Sequence, residues 1–125
     1  MIYSTGIDLV EIDRIQKGYR RYGDNFLNRL YSPDEIGIIK SRKANMIVTM
    51  AGKFAAKEAV MKALGYFFDE GVYLRGIEIL NQPSGIPYVR LPQKTDAKMA
   101  GKKILISISH EKKYAVATAI ICDEV

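Results

Sequence analysis

Phe54-Ala55-Ala56-Lys57-Glu58-Ala59-Val60-Met61-Lys62 sits near the middle of a helical pattern running from about Asn45 to Leu64, with Gly65 placed as its C-terminal stop. At 3.6 residues per turn, Phe54, Glu58 and Lys62 lie on one stripe beside Met61 and Gly65. A carboxylate and an ammonium therefore stand among apolar side chains. One reading is an exposed i,i+4 pair contributing about 0.2–0.5 kcal/mol to the helix; the other is a functional pair. This is the longest helix of the chain, and the remaining elements must share a core with it.

Working outward toward the N-terminus, Ser32-Pro33-Asp34-Glu35 is a helix start with Ser at the cap and Pro at the first position, running to about Lys40. Phe26 to Tyr31 reads as a short helical piece. Ahead of it, Ile12, Ile15, Tyr19 and Tyr22 recur at steps of three and four, the spacing of one buried helical stripe, which ends at Gly23-Asp24-Asn25. Arg14, Lys17 and Arg21 share another face of that helix. Ile2 to Ile12 reads as a strand running into Gly6 and then a turn or bend, with Asp8 interrupting its apolar character.

Toward the C-terminus, Tyr73 to Leu80 and Tyr88 to Leu91 read as strands joined by the turn Asn81-Gln82-Pro83-Ser84-Gly85. Thr95 to Gly101 reads as a brief helix. Ile104 to Ser109 and Tyr114 to Ile121 then form two strands across His110-Glu111-Lys112-Lys113. The second half is expected to be an antiparallel β-meander packed on the long helix. With no repeat or linker, the class is α+β, and residues 1–125 form a single domain.

The 125 residues are 48% hydrophobic and 26% charged, the range of ordinary globular chains. The net charge of +5 is unevenly spread: residues 1–13 carry −3, residues 14–62 carry +7, and the rest +1. Such a surplus promotes encounter with acidic partners without naming them. Cys122 is the single cysteine, so no intramolecular disulfide asks for an oxidising compartment. The acidic start is the reverse of a signal peptide, and no apolar run approaches the roughly 20 residues that cross a bilayer. A soluble cytoplasmic protein with no membrane partner is expected.

Asp8 in an otherwise apolar strand must cap backbone N–H groups, pair with a cation or bind a metal. Together with Glu58 it would suit Mg²⁺, which usually takes one or two protein carboxylates plus water and phosphate oxygens. His110, the only histidine, is either an exposed turn residue or a donor to a phosphate. One His and one Cys do not make a zinc site. A nucleophile elbow, a Rossmann glycine fingerprint and a Walker loop are all absent. Arg14, Lys17, Arg20 and Arg21 either face an acidic surface or are simply solvated.

Four motifs in order carry a resemblance over nearly the whole chain. They are Gly6-Ile7-Asp8-Leu9-Val10-Glu11-Ile12-Asp13-Arg14-Ile15, Phe54-x-x-Lys57-Glu58-Ala59-x-x-Lys62, Asn81-x-x-Ser84-Gly85-x-Pro87, and Ser107-Ile108-Ser109-His110. The sequence resembles the holo-acyl carrier protein synthases, the small trimeric bacterial branch of the 4′-phosphopantetheinyl transferases. The resemblance implies transfer of the 4′-phosphopantetheine arm of coenzyme A to a serine of apo-acyl carrier protein, releasing 3′,5′-ADP, in fatty acid biosynthesis. It implies Mg²⁺ held by Asp8 and Glu58, with Asp8, Glu58 and Lys62 as the catalytic set and Lys62 at the phosphates. Coenzyme A would meet Lys53, Lys62, Ser84, Gly85, Pro87 and His110. Lys53 stands where many relatives have Arg at a position associated with the 3′-phosphate, which keeps the charge but loses bidentate geometry. The small acidic acceptor would dock on Arg14, Lys17, Arg20 and Arg21, and a homotrimer would place active sites between adjacent subunits.

Two other functions use the same residues. A basic nucleic-acid-binding α+β module would be indifferent to Asp8 and Glu58, although the Tyr and Phe residues fall at core-like positions rather than among the basic ones. An Mg²⁺-dependent phosphoesterase would employ both acids yet leave no mass on an acceptor protein.

Overall fold

The protein is described by a computed structural model over residues 1–69 and 71–124. In chain order it comprises β1 (Ile2–Glu11), α1 (Ile12–Tyr22), α2 (Asp24–Leu30), α3 (Pro33–Ser41), a 3₁₀ turn (Lys43–Asn45) and α4 (Met46–Leu64). A second 3₁₀ turn (Leu74–Gly76), β2 (Glu78–Asn81), β3 (Pro87–Arg90), α5 (Gln93–Lys98), β4 (Lys102–His110) and β5 (Tyr114–Asp123) follow. The α+β class with antiparallel strands on a long helix is what the sequence predicts.

The strands divide differently from a continuous meander. β1, β5 and β4 form one antiparallel sheet in that order, while β2 and β3 make a separate hairpin. β1 is added to the C-terminal hairpin along its whole length, with Asp8 opposite Ala117 and Val10 opposite Ala115. The apolar alternation along β5 reports burial of one face and says nothing of which strand pairs with it.

α4 crosses the inner face of this sheet. Ala51, Ala55, Ala56, Ala59 and Ala63 are fully buried on the helix, as are Ala115, Ala117 and Ala119 on β5, within 1% exposure. Small side chains on both sides let backbone approach backbone. The approach is closest at Gly6, where a Cβ would stand 2.0 Å from the carbonyl oxygen of Ala59. Gly6 is therefore the residue that lets β1 lie on α4 two residues before Asp8.

The outer face of the same sheet is uncovered. Ile7, Leu9 and Leu105 are at least half exposed there, beside the half-buried Val116 and Ile120. Apolar exposure of this kind on one sheet face is the mark of an interaction surface.

Local expectations hold with three corrections. α3 starts with Ser32 at the cap as expected, and Glu35 completes a reciprocal cap with it. The strand expected over Tyr73–Leu80 is confined to its last residues, because Leu74–Gly76 turns and Arg75 reaches Asn28 O at 2.9 Å. Tyr22 is 56% exposed with the Arg21 guanidinium over its ring at 5.4 Å, so the stripe on α1 is buried at Ile15 and only partly at Ile12 and Tyr19. The helix expected over Thr95–Gly101 begins two residues earlier and ends at Lys98.

Candidate active site

Alternation along β1 turns Ser4, Gly6, Asp8 and Val10 toward α4 and Ile7 and Leu9 away. Asp8 thereby faces Glu58 and Lys62, which lie one turn apart on the helix. Lys62 does not form the i,i+4 pair with Glu58. Its Nζ reaches across to β1, donating to Ile7 O at 2.9 Å and Asp8 Oδ1 at 3.2 Å. The Asp8 side chain is 17% exposed and that of Lys62 54% exposed, so the ammonium remains open to solvent with donor capacity left. Asp8 is not used to cap backbone N–H groups.

Glu58 is half-buried at the floor of a cleft of about 530 Å³ whose walls include Asp8, Arg14, Phe26, Phe54 and Tyr114. Burial pushes the Glu58 carboxyl above its ordinary pKa, the negative charge of Asp8 pushes it further, and Lys62 partly opposes both. Two carboxylates that repel each other in a cleft are a ready site for a cation. Among the described residues no group of three or more His, Cys, Asp or Glu side chains converges as a metal cage. Asp8 and Glu58 would offer a cation two hard oxygen ligands with the rest left to water and substrate, a set that suits Mg²⁺.

A second pocket, of about 260 Å³, lies on another side of α4. Arg42, Gly52, Lys53, Asn81, Gly85, Pro87 and His110 are among its lining. Four of the expected coenzyme residues, Lys53, Gly85, Pro87 and His110, are thus brought together from α4, the β2–β3 turn and the end of β4. Ser84 is not in the lining; it is exposed at the tip of the turn and accepts a long 3.5 Å bond from Ile86 N. His110 closes β4 as its last residue rather than standing in the following turn, and is exposed.

Lys53 departs from its expected availability. It is 3% exposed, and its Nζ donates to Ile79 O at 2.7 Å and to Asn81 Oδ1 at 2.9 Å. Burial holds its pKa down to about 8, against a smaller upward pull from Glu35.

Beneath this pocket is a network that motif reading left without a role. Lys57 Nζ donates to Glu35 Oε1 and to Ile77 O, both at 2.6 Å, and both side chains are fully buried. Glu35 also accepts from Ser32 N and Ile79 N, each at 2.9 Å. Burial lowers the pKa of Lys57 despite its carboxylate partner. The one available sequence signal was the capping-box Glu35, whose second function cannot be seen from helix caps alone.

On α1, Arg14 lines the carboxylate cleft. Lys17 is tied to Asp13 at 2.8 Å, which raises its pKa, and Arg20 and Arg21 are exposed. No helix of the described residues is long and apolar enough to cross a membrane.

Comparison with known proteins identifies the family. Residues 4–119 match the family model of the 4′-phosphopantetheinyl transferase superfamily. The chain is 46% identical over 116 residues to the holo-[acyl-carrier-protein] synthase of Pelodictyon phaeoclathratiforme, covering 93% of this chain and 95% of the relative. To that of Protochlamydia amoebophila it is 43% identical over 120 residues, covering 96% and 98%. Among solved structures, the Helicobacter pylori holo-[acyl-carrier-protein] synthase in complex with coenzyme A is 34% identical with a TM-score of 0.80, covering 94% of this chain and 99% of that one. The Bacillus anthracis enzyme in complex with CoA (3′,5′-ADP) is 32% identical with a TM-score of 0.78, covering 97% and 96%. The chain belongs to the 4′-phosphopantetheinyl transferase superfamily.

Proposed function

We propose that this chain is a cytoplasmic holo-acyl carrier protein synthase, transferring the 4′-phosphopantetheine arm of coenzyme A to a serine of apo-acyl carrier protein. The observation that carries the reading is Asp8 and Glu58 lining one cleft edged by Arg14, with Lys62 bonded to Asp8 beside it, on a chain whose relatives are named for that activity. The serine hydroxyl attacks the phosphorus that bears pantetheine. The bond to the bridging pyrophosphate oxygen breaks, and 3′,5′-ADP departs with the electron pair.

The hydroxyl proton would pass to Glu58, whose carboxyl is pushed upward by burial and by Asp8, or to a water of the ion that Asp8 and Glu58 would hold. Lys62, steered by Ile7 O and Asp8, directs its free donor capacity toward the charge that develops on the leaving phosphate. Asp8 and Glu58 would hold Mg²⁺, which when bound neutralises the pyrophosphate oxygens. Coenzyme A would be received by the second pocket, with Gly85, Pro87 and His110 near the nucleotide. The acidic acceptor would approach the Arg14, Lys17, Arg20 and Arg21 face, steered by charge.

A homotrimer with active sites between subunits is part of the reading, and two features support it. Lys53 and Glu58 are five residues apart on α4, about 140° around the helix, so the two pockets face different directions. The exposed Ile7, Leu9 and Leu105 face supplies an apolar surface for a neighbouring copy.

The test is to incubate the protein with apo-acyl carrier protein, coenzyme A and Mg²⁺, with and without chelator, and weigh the acceptor intact. A metal-dependent gain of one phosphopantetheine is expected. An acceptor of unchanged mass across pH, metal and acceptor choice, with the protein folded, would sink the assignment.

A further inference from the structure

The buried end of the nucleotide pocket is organised as a relay. From α4, Lys53 Nζ donates to Ile79 O on β2 and to the Asn81 side-chain oxygen. The Asn81 amide then donates to Gly85 O at 3.0 Å. Gly85 has φ +93°, a left-handed backbone that the turn requires at that position. Its N–H donates to Gln82 O at 2.8 Å, and Gln82 N donates to Ile86 O at 2.9 Å, completing the loop. Each member fixes the next, from the rigid helix to the tip of the turn.

An ammonium has three donors, and Lys53 has placed two of them on protein acceptors of β2. With 3% of the residue exposed, those two bonds hold the ammonium against β2, and drawing it out to meet a phosphate in solvent would leave both acceptors unpaired. The exposed cation in the same pocket wall is Arg42.

The geometry points to Lys53 as a positioning residue that presets the Asn81–Ile86 turn for the nucleotide of coenzyme A, rather than as a ligand of its 3′-phosphate. The inference rests on the coenzyme A reading given above. Pre-organisation of this kind reduces the ordering cost of binding without requiring a direct bond to the 3′-phosphate. It also accounts for lysine at this position: a compact ammonium satisfies two acceptors converging from β2, which a planar guanidinium does not replace one for one.

The experiment compares wild type with Lys53→Met in phosphopantetheine transfer, using coenzyme A and 3′-dephospho-coenzyme A as alternative co-substrates. Lys53→Met is expected to raise KM for both by a similar factor, about tenfold, with kcat within about twofold. Asn81→Ala cuts the same relay beyond the lysine; its KM effect should match, and the double variant should add little to either single change. A penalty that appears with coenzyme A and disappears with the dephospho form would overturn the inference, because the lysine would then be reading the phosphate itself. Amide exchange of Gln82 and Gly85 gives a readout independent of catalysis. It should quicken in Lys53→Met and Asn81→Ala and stay unchanged in Arg42→Ala; unchanged exchange in the first two, or equal quickening in all three, would defeat the positioning role. If wild type transferred nothing to any acceptor, the functional reading would fall while the exchange result still decided what Lys53 does. Should Lys53→Met not fold, Asn81→Ala carries both readouts alone.

Discussion

Lys57 Nζ and Glu35 Oε1 stand 2.6 Å apart with neither side chain exposed to solvent, so a catalytic-looking motif places its first lysine in the core and its second at the surface, bonded to β1. The pair holds α4 to α3, and through Ile77 O, just ahead of β2, and Ile79 N, within it, the partners also hold the start of β2. Removing one member leaves a charge buried without its counter-ion. Lys57→Met should therefore cost about 3–5 kcal/mol in denaturant unfolding. Lys57→Met combined with Glu35→Gln should recover part of that loss, since the amide oxygen can still accept from Ser32 N or Ile79 N. A cost below about 1 kcal/mol for the single change would show that the pair is not structural.

At Glu58, stability and activity are expected to move in opposite directions. A carboxyl whose folded pKa is raised disfavours folding at any pH above that value, because its charge is better solvated in the unfolded chain. Glu58→Gln removes the charge that Asp8 repels. At neutral pH its thermal midpoint should equal or exceed that of wild type, while kcat/KM falls by about 10²–10⁴-fold. A variant that is less stable and fully active would contradict both assignments.

The extent to which this was legible in the sequence follows from the range of the interactions concerned. Helix starts, stops and faces are local, so α3 with its Ser32 cap and α4 with its Gly65 stop were visible. Asp8, Glu58 and Lys62 were visible as candidates because a charge in an apolar pattern is conspicuous. Their mutual arrangement was not, since β1 and α4 meet through a register and a close approach at Gly6 that periodicity does not encode. For the same reason helix spacing alone points Lys62 toward Glu58, whereas the strand offers it Ile7 O and Asp8. Lys53 and Lys57 carry no signal of burial in their residue type; only the acceptors on β2 and α3 explain them.

Gly6 offers a direct probe of that close approach. A methyl group 2.0 Å from Ala59 O cannot be accommodated without moving β1 away from α4. Gly6→Ala should destabilise by about 1–3 kcal/mol or more through overpacking, and should displace Asp8 from Glu58, lowering activity beyond what the folded fraction explains. Gly37→Ala in α3 is the contrasting change: its Cβ meets nothing within 4 Å, and a helical alanine should gain about 0.5–1 kcal/mol. Equal effects at both sites in thermal unfolding would refute the close-approach argument.

For the acceptor, Arg14 is the discriminating residue because it both lines the carboxylate cleft and belongs to the basic helix. Arg14→Glu should raise KM for apo-acyl carrier protein and leave KM for coenzyme A nearly unchanged. Added salt should weaken acceptor use by wild type more than by the variant, since screening removes an attraction that the variant has already lost. Equal losses for both substrates in steady-state kinetics would count against a separate acceptor face.

The buried ammonium of Lys53 makes a prediction about alkaline pH with a definite sign. Its pKa is about 8 in the folded chain, below the ordinary lysine value of 10.5, so between those values the unfolded chain holds a proton that the folded chain has released. Stability therefore rises with pH across that window, and below about pH 8 the full cost of the buried charge is present. The unfolding free energy of wild type minus that of Lys53→Met should grow by about 3 kcal/mol from pH 7.5 to pH 10.5. Taking the difference cancels other alkaline titrations that the two proteins share, including that of Lys57, whose shift has the same direction. Denaturant titrations at four or five pH values suffice. A flat difference would place the Lys53 pKa near its unfolded value and return its ammonium to solvent, whereas a falling one would mean that the charge is stabilised by partners stronger than Ile79 O and Asn81.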